Sequence, residues 1–212
     1  MDLGLNGKRA LVLGSSQGIG AEIARVLARE GCDVYVGARR LDHIQSLADE
    51  LSEEFNVDAK AYPIDLSDGI SVEKLCEMIT HEWKIDILLN NAGGPPPSPS
   101  TGVPDEIWES SLQSLLMSTI RLSEAAVKGM RERGWGRILT VASSGVIQPI
   151  PNLAVSNTVR SAVVGFTKTL SNEVAKDGIT VNMLLPGRID TERLASIHEA
   201  SANKLGMTYE EF

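Results

Sequence analysis

The sequence predicts an α/β protein: a doubly wound parallel sheet of six strands in the order 3-2-1-4-5-6, with helices on both faces. Three observations carry this prediction. Short runs of β-branched and aliphatic residues alternate with longer segments of helical periodicity, and strands that alternate with helices are joined by right-handed crossovers into one parallel sheet. Aromatic residues are only 4% of the 212 residues, which calls for an aliphatic core, as in parallel sheets covered on both faces. Finally, the segments rich in Gly, Asp and Asn fall just after strands, where sheets of this kind bind ligands.

The first strand is read in "RALVLG", residues 9–14. "GSSQGIG" follows, with Gly14, Gly18 and Gly20 in GxxxGxG spacing around Ser15, Ser16, Gln17 and Ile19. Glycines there permit a tight turn and let a pyrophosphate approach the backbone. The start of the next helix then offers free N–H groups and the positive end of its dipole. An ordinary glycine-rich turn is the plainer reading. The periodic segment "AEIARVLAREG", residues 21–31, is the first helix, stopping at Gly31.

"DVYVGA", residues 33–38, is the second strand. An acidic residue at its end would accept bonds from the ribose of NAD; here Ala38 is followed by Arg39 and Arg40. Arginine there can clamp a 2′-phosphate with paired charge-assisted bonds, so NADP is expected over NAD, with Arg39 the better candidate. The other reading is a solvated pair at a helix start. A helix over 41–55 and a strand over 58–65 come next, the strand ending at Asp65 with Leu66, a further cofactor candidate, just after it. Asp65 is either a turn or cap residue or a contact for adenine.

A helix over 71–83 leads to the strand "DILLNNAG", residues 86–93. Its Asn90, Asn91, Ala92 and Gly93 either form a turn or line the adenosine side of a nucleotide while bracing the sheet. "GGPPPSPSTG", residues 93–102, is a stiff extended loop, either a surface connector or the rim of a crevice. A long helical stretch runs from about 105 to 132, then a strand over 136–143 ending at Ser143. The helix that follows, from about 151, carries Ser156 and Arg160 on one face, four residues apart. A strand over 180–187 ends in "LLPG", and a last helical piece starts near 191.

The net charge of −8 disfavours a nucleic-acid partner, which needs a basic face. No apolar run approaches the roughly 20 residues that span a bilayer, and the N-terminus lacks a signal-peptide core. Two cysteines without CxxC spacing fit a reducing cytoplasm. No metal site is expected, since His43, His81 and His198 lie far apart. Serine hydrolysis is not expected either, because "VASSGVI" is not GxSxG.

Taken in order, the glycine triplet, Asp65, Asn90-Asn91-Ala92-Gly93 and "LLPGRIDT" (184–191) resemble the short-chain dehydrogenase/reductase family, and most of all its 3-oxoacyl-carrier-protein reductases. The likeness implies one NAD(P)-binding Rossmann domain over residues 1–212, a small carbonyl or alcohol substrate, and a homodimer or homotetramer. It also implies that the chain stops before a further helix and a seventh, edge strand. Pro186 and Gly187 would shape the nicotinamide pocket, and Ile189 and Thr191 would contact the carboxamide and phosphate region.

The family's active centre is an Asn, a Ser, a Tyr and a Lys, the last two spaced YxxxK. Aligned on that pattern, Ser143 matches the Ser, while Leu115, Ser156 and Arg160 stand where the Asn, Tyr and Lys are expected. Ser143, Ser156 and Arg160 are therefore the catalytic candidates, Arg160 also a cofactor anchor. Structural duty for Ser156 and Arg160 is the alternative. Tyr35 and Tyr62 fall in strands, and Tyr209 lies in the terminal segment. The leading expectation is an NADP-dependent oxidoreductase. The second is a weak or inactive NADP(H)-binding sensor or assembly protein.

Overall fold

The computed structural model describes residues 3–187, 189 and 190. Six parallel strands form one sheet in the order β3-β2-β1-β4-β5-β6: β1 Arg9–Leu13, β2 Asp33–Ala38, β3 Ala59–Pro63, β4 Ile87–Asn90, β5 Gly136–Val141 and β6 Ile179–Leu184. The helices between them are α1 Gly18–Arg29, α2 Leu41–Phe55, α3 Gly69–His81, α4 Asp105–Ser111, α5 Ser118–Arg133 and α6 Ala154–Val174. Among the described residues β3 and β6 are the outer strands. The final helical piece, Thr191 and Tyr209 lie outside the described residues.

The period-2 geometry of the central strands splits the core between two faces. Leu11 and Leu13 of β1 join Leu88, Ile138 and Val181 beneath α3, α5 and α6. Ala10 and Val12 join Val34, Val36, Ile87 and Leu89 beneath α1 and α2. Both faces of β1 are thus buried, which is why its sequence is continuously apolar rather than alternating. Each fully buried Leu or Ile here contributes about 1.5–3 kcal/mol. Helix α6 buries Val155, Val159, Val163, Thr167, Leu170 and Val174, a stripe at three- and four-residue spacing. Tyr35 and Tyr62 pack edge-on to Trp83, at centroid distances of 4.5 and 5.3 Å, on β2 and β3 as their sequence positions imply.

The long stretch read as one helix is interrupted by a π-helical turn, Leu112–Met117. Such turns occur as single insertions within α-helices. Two hydroxyls bond its carbonyls: Ser118 Oγ donates to Ser114 O at 2.6 Å, and Thr119 Oγ1 to Leu115 O at 2.7 Å. The turn brings Leu115 inward, buried against Val155 and Val159 of α6. Helix α1 also starts earlier than its apolar periodicity indicates, at Gly18, inside the glycine turn. The proline-rich loop is tied down on α6: Ser98 N donates to Asn152 O at 2.7 Å, and Ala154 N to Ser98 O at 3.2 Å. No helix among the described residues is long and apolar enough to cross a membrane.

Candidate active site

The carboxyl ends of β1, β2, β4 and β5 bring most of the singled-out residues to one edge of the sheet. At β1, Gly14 and Gly18 take φ of +61° and +58°, values that favour glycine. A Cβ on Gly14 would lie 2.7 Å from Asn91 O and 2.8 Å from Asn91 Nδ2. A Cβ on Gly20 would overlap the Gly14 carbonyl oxygen and lie 2.9 Å from Asn91 Nδ2. These glycines are therefore demanded by close packing of turn, helix and β4. Asn91 locks the arrangement by donating from Nδ2 to Gly14 O at 3.2 Å.

The turn itself is open to a ligand. Gln17 precedes α1 in an extended conformation, and its side chain does not cap the helix. Its Oε1 instead accepts a hydrogen bond from Arg40 Nη2, so the side chain is drawn toward the end of β2. The first N–H groups of α1 then keep their capacity for an anion. Ser15 is fully buried and donates from its hydroxyl to Gly37 O at 3.4 Å, which holds the turn against β2. Ser16, Gly18 and Ile19 are part-exposed. This cradle, which side chains would fill, fits a dinucleotide pyrophosphate.

Arg39 and Arg40 are exposed after β2. Past β3, burial alone would raise the Asp65 carboxyl; hydrogen bonds from the Ser67 hydroxyl (2.7 Å) and N–H (2.9 Å), with the charge of Arg39, outweigh it and hold the group below its usual range. Asp65 thus makes a turn beside Arg39, while the cap of α3 is Asp68, which accepts from Ile70 N at 3.0 Å. Leu66 packs on the core and lines a small cavity with Leu13, Asn90, Asn91, Ala92 and Arg160. Gly93 is exposed at the start of the proline-rich loop.

At the end of β5, Ser143 is extended, with φ −162°, and its Oγ accepts from Gly145 N at 3.1 Å. Ser144 N donates to Pro186 O at 3.3 Å, which sets the Pro186–Gly187 segment beside it. Helix α6 brings in Arg160, whose Nη1 donates to Val141 O at 2.8 Å, two residues before Ser143. Ser156, one turn earlier on α6, is half-buried. Ile189 is exposed beyond β6.

Two features of this edge escaped the sequence reading. Asn157, next to Ser156, donates from Nδ2 to Ile150 O at 2.9 Å and accepts from Ile150 N at 3.4 Å. Thr140, on β5, is buried and faces the cavity. The available signal for Asn157 was an amide beside Ser156 in the first turn of a helix. Nothing in the local pattern marks Thr140.

The model of the short chain dehydrogenase family matches residues 8–202. The chain is 34% identical over 200 residues to the 3-oxoacyl-acyl-carrier-protein reductase FabG of Escherichia coli, covering 93% of this chain and 80% of FabG. Its fold superposes on the crystal structure of L-sorbose reductase from Gluconobacter frateurii, complexed with NADPH and L-sorbose, with a TM-score of 0.92 and 34% identity, covering 100% of this chain and 81% of the other. An actinorhodin polyketide ketoreductase with NADPH superposes with a TM-score of 0.88 at 36% identity, covering 97% and 79%. A nucleotide-binding protein without turnover, the second reading of the sequence, finds no support among these reductases.

Proposed function

Because the chain belongs to the short-chain dehydrogenase family, we propose that this oxidoreductase reduces a carbonyl compound with NADPH, Ser143 holding the substrate oxygen. The observation that carries the reading is the Ser143 hydroxyl. Its oxygen accepts a backbone N–H from Gly145, so its own proton is left to donate to a carbonyl oxygen. Such a donor, fixed by backbone, costs little reorganisation as charge grows on that oxygen.

Gly14, Gly18 and Gly20 with the first N–H groups of α1 take the pyrophosphate. Arg39, assisted by Arg40, takes the 2′-phosphate, and Asp65 and Leu66 border the adenine. Asn91, Ala92 and Gly93 line the adenosine side, and Pro186, Gly187, Ile189 and Thr191 the nicotinamide side. When bound, the reduced nicotinamide supplies a hydride to the carbonyl carbon. Arg160 holds a ribose hydroxyl with its guanidinium. A proton completes the alcohol. Ser156 is a far weaker acid than a phenol, so it relays that proton through water rather than acting alone.

3-Oxoacyl thioesters are the first substrate class, in keeping with the ketoacyl and polyketide reductases among the relatives. Ile147, Ile150, Leu184 and Leu185, exposed at the carboxyl ends of β5 and β6, suit an apolar acyl chain. Pairing of two chains through α5 and α6 is the proposed assembly, checked by light scattering. The function is tested by following NADPH consumption with 3-oxoacyl thioesters and, as a second class, keto sugars. Turnover should fall about 10²–10³-fold in Ser143→Ala, the effect of removing one positioned donor, with NADPH affinity unchanged. No consumption with any member of the panel at saturating NADPH would overturn the proposal.

A further inference from the structure

We propose that the protein holds one buried water between the ends of β4 and β5, bound by Asn90 and Thr140. The two residues are direct register partners on adjacent strands. They are 3% and 4% exposed, and Asn90 Oδ1 and Thr140 Oγ1 have no hydrogen-bond partner among the described residues. Both line the same cavity. Leaving two polar atoms of this kind buried and unbonded is unfavourable, so the site favours a ligand that bonds to both.

The cavity sets the size of that ligand. Its room for the centre of a water-sized sphere is about 10 Å³, close to the least that holds one water. The walls set its chemistry. Ser118 and Thr119 spend their protons on the carbonyls of Ser114 and Leu115, and Leu13, Leu115 and Val163 are apolar. Among the described residues no carboxylate lines the cavity, whereas the Arg160 guanidinium does, and both disfavour a cation. Asn90 Nδ2 donates to Ser123 Oγ at 3.1 Å, and whichever end of the amide faces Ser123, the other faces the cavity. A water can donate to the amide oxygen and bond the Thr140 hydroxyl in either sense. It would pin the ends of the strands that continue into Asn91 and Ser143.

The test is a high-resolution crystal structure of the whole chain, without cofactor, so its outcome is independent of turnover. A solvent peak within hydrogen-bonding distance of both side chains is expected in the wild type and in Thr140→Ser. It should be lost in Thr140→Val, which should also melt below Thr140→Ser. Well-defined Asn90 and Thr140 side chains with no peak between them, or bonded directly to each other, would overturn the proposal. If Thr140→Val does not fold, the wild type and Thr140→Ser decide it.

A different set of contacts assigns Asn157 as a positioning residue, an inference resting on the function proposed for Ser143. Its amide engages both backbone groups of Ile150. Its Oδ1 also lies 2.5 Å from where a Cβ on Gly145 would sit, so the loop between Ser143 and Ile150 packs directly on it. Gly145 in turn donates to Ser143 Oγ. Asn157 therefore clamps the loop that orients the Ser143 hydroxyl. In Asn157→Ala, amide exchange at Gly145 and Ile150 should quicken about fivefold or more. The kcat should fall about tenfold with NADPH affinity unchanged. Unchanged exchange, or faster exchange with wild-type kcat, would overturn the assignment. A wild type that never turns over would instead sink the proposed function and leave the exchange rates to judge the clamp.

Discussion

Replacing Gly20 by alanine puts the cofactor cradle to a physical test. The added Cβ would overlap the carbonyl oxygen of Gly14 and sit 2.8 Å from its carbon and 2.9 Å from Asn91 Nδ2. Two of these neighbours are backbone, and Gly14 has no room to retreat, being itself packed against Asn91. Overpacking of this kind costs about 1–3 kcal/mol. Displacing Gly14 also strains the 3.2 Å bond from Asn91, about 1 kcal/mol more. Alanine's better helix propensity returns up to about 1 kcal/mol. The net loss is about 1–3 kcal/mol, a fall in Tm of roughly 2–12 °C for a chain of this size. Cofactor binding should suffer further, because the shift moves the first N–H groups of α1. Thermal melts with and without NADPH read both effects. A Gly20→Ala protein with wild-type Tm and an undiminished NADPH-induced shift would refute the close-packed cradle.

Other substitutions and reagents reach other parts of the account. Arg39→Ala should weaken NADPH binding about tenfold or more while leaving NADH nearly unchanged, as calorimetry with both can measure; an unaltered ratio would remove the 2′-phosphate assignment. Asp65 has a folded pKa held below its ordinary value near 3.8, so its stabilising effect is present above that value and lost as the pH falls through the folded one. Denaturant melts should accordingly show Asp65→Asn less stable than wild type at neutral pH, the gap closing under acid. A gap that widened on acidification would reverse the sign of the argument. Cys32 is fully buried, with burial pushing its thiol up to about 11. Iodoacetamide at neutral pH should spare it in the native protein, and mass spectrometry finding it alkylated as fast as in denatured chain would contradict its placement.

Much of the fold was legible because the relevant physics is local. "DVYVGA" and the helix after it match β2 and α2 to the residue, since a β-rich run bounded by Asp33 and Arg39 leaves little choice of boundary. The start of α1 was misjudged by three residues because glycines read as turn, yet Gly18 and Gly20 are helical, Gly18 taking a positive φ and Gly20 packing against the Gly14 carbonyl. The π-helical turn at Leu112–Met117 left no trace in the periodicity; it accompanies the packing of Leu115 against Val155 and Val159 of α6, residues remote in sequence. The glycine turn, Asn91 and Ser143 do follow strands and Arg160 does lie in the second turn of α6, as the alternation of strand and helix implies; their roles are those proposed above. Ser15 turns its hydroxyl to Gly37, a contact the local pattern does not report. Thr140 and Asn157 matter only through neighbours remote in sequence, Asn90 and Ile150, and no local pattern reports such proximity. Thr191 lies outside the described residues, so its placement remains a proposal.

The proposed mechanism has nicotinamide chemistry beside Ser143 at the carboxyl edge of the sheet. Single-turnover transfer from NADPH carrying deuterium at one C4 position tests it. A 3-oxoacyl thioester or keto sugar should acquire the label at its former carbonyl carbon from one C4 face only, at a rate cut about 10²–10³-fold in Ser143→Ala. Saturated, folded protein that transfers no label from either face, or that transfers it equally well without the Ser143 hydroxyl, would contradict it.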